Sequence, residues 1–432
     1  MCGICGIIGG EARGVEAAVR RMMAAMAHRG PDDEGYEQFA LGDGEQGPVA
    51  GLGFRRLAII DLTAAGHQPM FNPATGDCLV FNGEVYNFRQ LRAELQCGGA
   101  VFHSSSDTEV LLQALSKWGE FAVEKIQGMY AFAFYQASTR RILLGRDPLG
   151  IKPLYVASLP DRFLFSSEIR PLLASGLVSD DVDLAGIAGM LAYGAVQGPR
   201  TAYRQIQTFP AGHTQWIDAL VAAGKPARPP VRFWSFPRQT VAIGQPEAAE
   251  QVHDMLHQAV LRHLVADVPV GVFLSAGIDS TIIASYAREY TPRVTAFTVG
   301  FGAVHGQDEV ALAVETANAL GMKHVAVELD AENMPEKWHD WLSGMDSPSV
   351  DGFNTYVVSR RLAAEGVVVG LSGLGADELF GGYGTFDRAP RWSRILRGLG
   401  FLPRGLRAAA VAAAGAAGGP PGAMEKLSDL VA

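Results

Sequence analysis

Val270-Gly271-Val272-Phe273-Leu274-Ser275-Ala276-Gly277-Ile278-Asp279-Ser280 is an apolar run that meets a small-residue turn and then opens a helical pattern. Val270 to Leu274 reads as a buried strand, and Ser280 to Tyr290 as the helix that follows it. The rhythm continues downstream. Val294 to Val299 is a strand, Asp308 to Leu320 a helix and His324 to Leu329 a strand. A helix then covers roughly Phe353 to Glu365, and Val367 to Leu371 is a further strand. Such alternation predicts an α/β doubly wound parallel-sheet domain with helices on both faces. Sheets of this kind bind ligands beyond the carboxyl ends of their strands.

Upstream the pattern is different. The first ~200 residues read mainly as strands: Val49 to Ile60, Leu79 to Phe81, Met129 to Tyr135 and Arg141 to Gly145. Val15 to Met26 and Thr108 to Trp118 carry apolar residues at helical spacing, with Met22, Met23 and Met26 as core filling. The expectation is a layered α+β domain over 1–215. Lys225, Pro226, Ala227, Arg228, Pro229 and Pro230 cannot continue a helix or a central strand, so 216–245 reads as a linking region and 246–432 as the second domain. Ala408 to Gly422 is a low-complexity stretch of Ala, Gly and Pro. Arg388 to Arg407 holds six arginines beside helically spaced Trp392, Ile395, Leu396 and Leu399. A packed helix with a solvated face is the first reading there, and docking on a membrane surface the second.

Composition narrows the classes. The chain has 432 residues, 48% of them hydrophobic and 19% charged, which suits folded domains rather than disorder. A net charge of -9 argues against a general nucleic-acid binder. No apolar run approaches the ~20 residues of a membrane-spanning helix. The N-terminus has no secretion signal, so the cytoplasm is the expected compartment. Cys2, Cys5, Cys78 and Cys97 make no disulfide framework, and Cys2-x-x-Cys5 lacks the second pair that a zinc site would want. A homo-oligomer is compatible with this composition.

Cys2 carries the first chemical signal. Cysteine is small, so Met1 is expected to be removed, leaving the thiol beside its own α-amine. That amine has a reference pKa of ~7.7–8.0 and can act as general base. His28 and His67 are then not needed as bases. Taken alone, such a cysteine is usually just a cysteine; its neighbours change that. Met1-Cys2-Gly3-Ile4-Cys5-Gly6, His28-Arg29-Gly30-Pro31-Asp32, Arg56-Leu57-Ala58-Ile59-Ile60-Asp61, Asn82-Gly83-Glu84-Val85-Tyr86-Asn87 and Ser106-Asp107-Thr108-Glu109 occur in that order. So do Gly145 to Tyr155 and Ser166-Ser167-Glu168-Ile169. Together they resemble the class II glutamine amidotransferase domain, an N-terminal nucleophile hydrolase with an αββα sandwich.

The resemblance implies that Cys2 attacks the side-chain amide of glutamine, with Asn82 (side chain) and Gly83 (backbone N–H) as oxyanion donors. One such donor is typically worth ~3 kcal/mol. It implies a glutamine site of Arg56, Leu57, Ala58, Ile59, Ile60, Asn82, Gly83, Glu84 and Asp107. Arg56 would fork onto the α-carboxylate, and Glu84 and Asp107 would hold the α-ammonium.

The turn at Ser275-Ala276-Gly277-Ile278-Asp279-Ser280 resembles the pyrophosphate loop of ATP-pyrophosphatase domains, usually S-G-G-x-D-S. A helix N-terminus favours an anion there. Ala276 stands at the first glycine of that pattern, tolerable at negative φ and harmful at positive φ. Ser372-Gly373-Leu374-Gly375-Ala376-Asp377-Glu378, after the Val367 to Leu371 strand, resembles the second signature of the asparagine synthetases. The resemblance implies ATP contacts at Leu274, Ser275, Gly277, Asp279, Ser280, Val299, Ser372 and Gly373, with Mg²⁺ held by Asp279 and Asp377. The implied reaction joins glutamine, ATP and aspartate to give asparagine, AMP, pyrophosphate and glutamate, through β-aspartyl-AMP and ammonia.

Two departures qualify this. The family commonly has glutamate where this chain has Leu374, so ammonia attack would be slower or another group such as Glu378 would have to serve. The resemblance covers about residues 1 to 395 while members usually continue further, so a fragment or shortened form is expected. Three readings stand: an asparagine synthetase, the same machinery amidating another carboxylate, or a glutaminase that binds nucleotide with impaired synthesis.

Overall fold

The computed structural model describes residues 1–42, 47–300, 309–329, 334–386 and 388–390. Gly3–Ile8 (β1) has every residue buried and runs antiparallel between Val49–Arg56 (β3) and Phe163–Ser166 (β9). With Asp33–Ala40 (β2), Tyr155–Ser158 (β8) and Gln207–Thr208 (β10) it forms a six-stranded sheet in the order β10-β8-β9-β1-β3-β2. A second six-stranded antiparallel sheet has the order β12-β11-β7-β6-β5-β4. Its members are Met70–Phe71 (β4), Cys78–Val85 (β5), Gly128–Gln136 (β6), Arg141–Arg146 (β7), His213–Ile217 (β11) and Val231–Arg232 (β12).

Ile4, Leu52 and Phe54 of the first sheet and Val80, Ala133 and Leu144 of the second share one apolar core. Outside the first sheet lies Ala12–Ala25 (α1), whose Val15, Val19 and Met22 repeat at helical spacing and are buried with Met23 and Met26. Outside the second lie Phe88–Cys97 (α2) and Asp107–Trp118 (α3), which bury Leu91, Leu95, Leu111 and Leu115. The layers are therefore helix, sheet, sheet, helix. The second sheet runs through Ile217 to β12, into the stretch expected to link the two domains.

Several expected boundaries move for visible reasons. The apolar run from Val49 is strand only to Arg56, because the chain then turns through Asp61 at a left-handed φ of +58°. The last strand begins at Val369, since Val367 N–H still bonds Leu362 O at 3.2 Å to close the preceding helix. Three further helices, Ile169–Ala174 (α4), Leu184–Tyr193 (α5) and Gln245–His263 (α6), lead into the third sheet.

Val270–Phe273 (β13), Thr295–Gly300 (β14), Lys323–Glu328 (β15) and Val369–Leu371 (β16) pair in parallel in the order β15-β14-β13-β16. Ile278–Tyr290 (α7), Glu309–Ala319 (α8), Met334–Gly344 (α9) and Phe353–Ala364 (α10) connect them. The order reverses between β13 and β16, which pair Val272 with Leu371 at their carboxyl ends.

This part also meets the sandwich. Asp346 accepts from Ile169 N and Arg170 N at 2.7 and 3.0 Å, and Arg170 Nη2 returns to Ser343 O and Met345 O, each at 2.6 Å. Val350 N bonds Gly194 O at 2.8 Å.

The chain forms two compact units, Met1–Leu371 and Ser372–Ala432. In the second, Ala376–Phe380 (α11) is a short helix entered through Gly375 at φ +99°. The start of the expected helix from Asp308, most of the expected Arg388 to Arg407 helix, and the Ala408 to Gly422 stretch lie outside the described residues. Among the described residues no helix is long and apolar enough to cross a membrane.

Candidate active sites

Cys2 stands immediately before β1, and Gly3 pairs with Arg55, so the start of the chain is fixed level with the end of β3. The thiol donates to Leu57 O at 3.5 Å and accepts from Leu57 N at 3.4 Å. Arg29 Nε holds Cys2 O at 2.9 Å, and Arg29 Nη1 bonds Glu168 at 2.8 Å. His28 reaches the same carboxylate and His67 reaches Asp33, so both histidines are paired away from the thiol. Burial pushes the Cys2 thiol up, against the Leu57 hydrogen bond. Desolvation lowers the chain's α-amine, carried by Met1, to about 6.

The segment after β3 is organised by Arg56. Its Nη1 donates to Thr63 O at 2.9 Å and its Nη2 to Asp61 O. The Asp61 carboxylate accepts from Thr63 N at 3.1 Å, Thr63 Oγ1 at 2.5 Å, Ser105 N at 2.9 Å and Ser105 Oγ at 3.1 Å. Burial opposes ionisation of Asp61, but these donors outweigh it and hold the carboxyl below its ordinary range. A Cβ at Gly66 would run into Arg56 Nη2, so a side chain there would displace the guanidinium.

β5 brings Asn82, Gly83 and Glu84 to the same place. Asn82 is 1% exposed, and its Nδ2 has no hydrogen-bond partner among the described residues. A Cβ on Gly83 would meet Met129 O and Tyr130 Cα of β6. Burial raises Glu84 to about 7, with Lys152 opposing and Asp107 adding to the shift. Asp107 opens α3, where Ser106 Oγ accepts from Thr108 N at 3.0 Å as the cap. Burial raises Asp107 to about 6 although its carboxylate accepts from Val85 N at 2.8 Å.

One cleft is lined by Cys2, Arg56, Leu57, Ile59, Ile60, Asn82, Gly83, Glu84 and Asp107. Ala58 is not among its lining residues; its N–H bonds Asp32 at 2.8 Å. Gln68, Thr108 and Lys152 also line the cleft, and the sequence had given them no role. Gln68 accepts from Phe81 N at 2.6 Å, which fixes β5 beside the cleft. Burial lowers Lys152, with Glu84 and Cys2 opposing. The Gly145 to Tyr155 stretch contained Lys152, but only the fold puts it against Glu84.

The turn after β13 is held by hydroxyls. Ser275 N donates to Ser280 Oγ at 3.1 Å, the two hydroxyl oxygens lie 2.8 Å apart, and Gly277 N donates to Ser275 Oγ at 3.2 Å. Among the described residues only Asp61 and Arg140 are non-glycines at positive φ, so Ala276 is unstrained. Leu274 is buried, with its O accepting from Thr298 Oγ1 at 2.5 Å; Val299 lies in β14 beside it. Asp279 is in the first turn of α7.

In the second unit Ser372 Oγ accepts from Leu374 N at 3.2 Å and Gly373 O from Ala376 N at 3.2 Å. Leu374 is 84% exposed. Asp377 lies in the first turn of α11, and Glu378 accepts from Tyr383 Oη at 2.9 Å. Among the described residues no group of three His, Cys, Asp or Glu side chains is arranged around a metal.

Comparison with known proteins matches residues 1–226 to a glutamine amidotransferase domain and residues 251–420 to an asparagine synthase domain. A glutamine-hydrolysing asparagine synthetase of Methanocaldococcus jannaschii is 30% identical, over 94% of this chain and 79% of its own length. Asparagine synthetase 1 of Bacillus subtilis is 32% identical over 94% of this chain and 64% of its own. A Mycobacterium tuberculosis relative of the same description is 35% identical over 94% and 63%. The chain thus spans less than two thirds of the Bacillus subtilis and Mycobacterium tuberculosis relatives' own length.

Proposed function

Since the chain belongs to the glutamine-hydrolysing asparagine synthetases, we propose that it releases ammonia from glutamine at Cys2 and spends ATP to transfer that ammonia to aspartate. The observation that carries the first half is the unpartnered Asn82 Nδ2, buried in the cleft that Cys2 lines. A buried donor left without an acceptor is costly, and an oxyanion formed in the cleft would supply one. Once Met1 is removed, the α-amine of Cys2 takes the thiol proton. The sulfur then adds to the amide carbon, Asn82 Nδ2 and Gly83 N–H receive the oxyanion, and ammonia leaves with the proton. Water resolves the thioester to glutamate. Arg56, held through Nη1 and Nη2 by Thr63 O and Asp61 O, turns its remaining donors to the α-carboxylate, while Glu84 and Asp107 take the ammonium. Cys2→Ala should release no glutamate; undiminished release would remove Cys2 as nucleophile.

In the second half the aspartate side-chain carboxylate attacks the α-phosphate of ATP, expelling pyrophosphate, and ammonia then displaces AMP. The hydroxyl-braced turn at Ser275, Gly277 and Ser280 at the mouth of α7 would receive the phosphates. Leu274 and Val299, and Ser372 and Gly373, would contact the rest of the nucleotide. The carboxylates of Asp279 and Asp377 have no hydrogen-bond or ion-pair partner among the described residues, which suits them to Mg²⁺ alongside phosphate oxygens. The ion, when bound, would neutralise charge on the leaving pyrophosphate. Asp279→Asn and Asp377→Asn should each stop AMP formation while glutamate release continues. Unchanged turnover and Mg²⁺ dependence in both would refute the assignment. We draw the border between the halves within residues 233–244, and ATP use makes the cytoplasm the natural compartment.

A further inference from the structure

Asp267 lies three residues before β13 and so belongs to the parallel-sheet half, yet both of its polar contacts fall on the loop after β3. Its Oδ2 accepts from Asp61 N at 2.8 Å, and its own N–H donates to Ile59 O at 2.9 Å. The gripped residues are the ones that shape the cleft. Ile59 lines it directly. Asp61, at φ +58°, presents its carbonyl to Arg56 Nη2 and its carboxylate to Ser105 N and Oγ, two residues ahead of Asp107. One left-handed turn therefore connects the guanidinium on one side of the cleft with the carboxylate on the other. Among the described residues of 1–226 nothing accepts from Asp61 N; its acceptor comes from Asp267.

We propose that Asp267 is a positioning residue for the glutamine site: from the synthetase half it locks the Asp61 turn and, through Asp61 O, sets the direction in which Arg56 meets the substrate α-carboxylate. The inference rests on the reading of the cleft as a glutamine site. An aspartate in left-handed geometry relaxes unless its surroundings hold it. Without Asp267, Asp61 N–H loses its acceptor, the carbonyl swings and Arg56 loses one of the two oxygens that aim it. The D267N side chain would still present an acceptor at the same reach; that of D267A would not.

The test is calorimetric binding of glutamine to the full chain in a Cys2→Ala background, where hydrolysis does not interfere. Adding D267A should weaken binding about tenfold, as expected when a buried N–H is left without its acceptor. D267N should stay within twofold. If D267A does not fold, D267S, which stops short of Asp61 N, takes its place. In a cycle with R56K the effects of D267A and R56K should be non-additive, because both act through one guanidinium. Unchanged binding in D267A or D267S, or strict additivity, overturns the inference. If Cys2→Ala binds no glutamine at all, both the inference and the glutaminase reading fall. If it binds glutamine but the unmodified protein releases no glutamate, only the catalytic reading falls.

Discussion

Glu84 keeps its proton up to about pH 7 because burial penalises the charged form more than Lys152 rewards it. Its proposed role as a partner for the α-ammonium needs the carboxylate. The sign follows: a raised carboxyl gains charge as pH rises through its own value, so kcat/KM for glutamine should climb through about 7 and fall below it. Asp107, near 6, should give a lower inflection. Glu84→Gln should lose the upper inflection, keep the lower one and fall about tenfold at pH 8. A pH profile of glutamate release, which reports free-enzyme groups, checks all three. An upper inflection that survives in Glu84→Gln would belong to another residue. That Cys2, Asn82 and Asp107 would share one cleft was legible in the sequence because they travel with short local motifs. Lys152, Gln68 and Gly66 were not. Their importance is a matter of what they face across the fold: a buried carboxylate, a strand N–H and the back of a guanidinium.

At the level of elements, glycine decides what can approach what. Gly83 leaves room for the β6 backbone to pass, so Gly83→Ala should strain the β5–β6 pairing by about 2 kcal/mol, typical of overpacking, and lower the thermal midpoint accordingly. Ala276 makes the opposite point. Its φ is ordinary, so Ala276→Gly should leave the ATP dependence of AMP formation within about threefold, and a larger gain would mean that its Cβ obstructs the nucleotide. The same residue type explains which strands could be read in advance. β13 and β14 are runs of apolar residues between turn signals, and α1 shows its stripe plainly. β1 did not stand out because Gly3 and Gly6 dilute its pattern. Its Gly6 exists because the Phe165 ring and Gly51 O close over that position, a fact about neighbours distant in the chain.

Across the whole molecule, the two halves differ in how complete their chemistry looks. The cleft around Cys2 unites the proposed nucleophile, the unpartnered Asn82 donor and the residues proposed as substrate clamps. Leu374, 84% exposed, offers no ionisable group, and Glu378 is already engaged by Tyr383. Glutamate should therefore form in excess of AMP when glutamine, ATP, Mg²⁺ and aspartate are supplied together. Equal yields of the two at high turnover would show that leucine suffices. The contacts of Asp346 with the start of α4, and of Arg170 with the carbonyls of Ser343 and Met345, bear on something else. The exposed stretch around Phe236 and Val241 is a natural point for proteolytic nicking. Because those clasps join residues on either side of the cut, a protein nicked there should still travel as one species through a native sizing column and come apart only in denaturant. Covalent continuity between its halves would then be a convenience of synthesis, and the two could be supplied as separate chains.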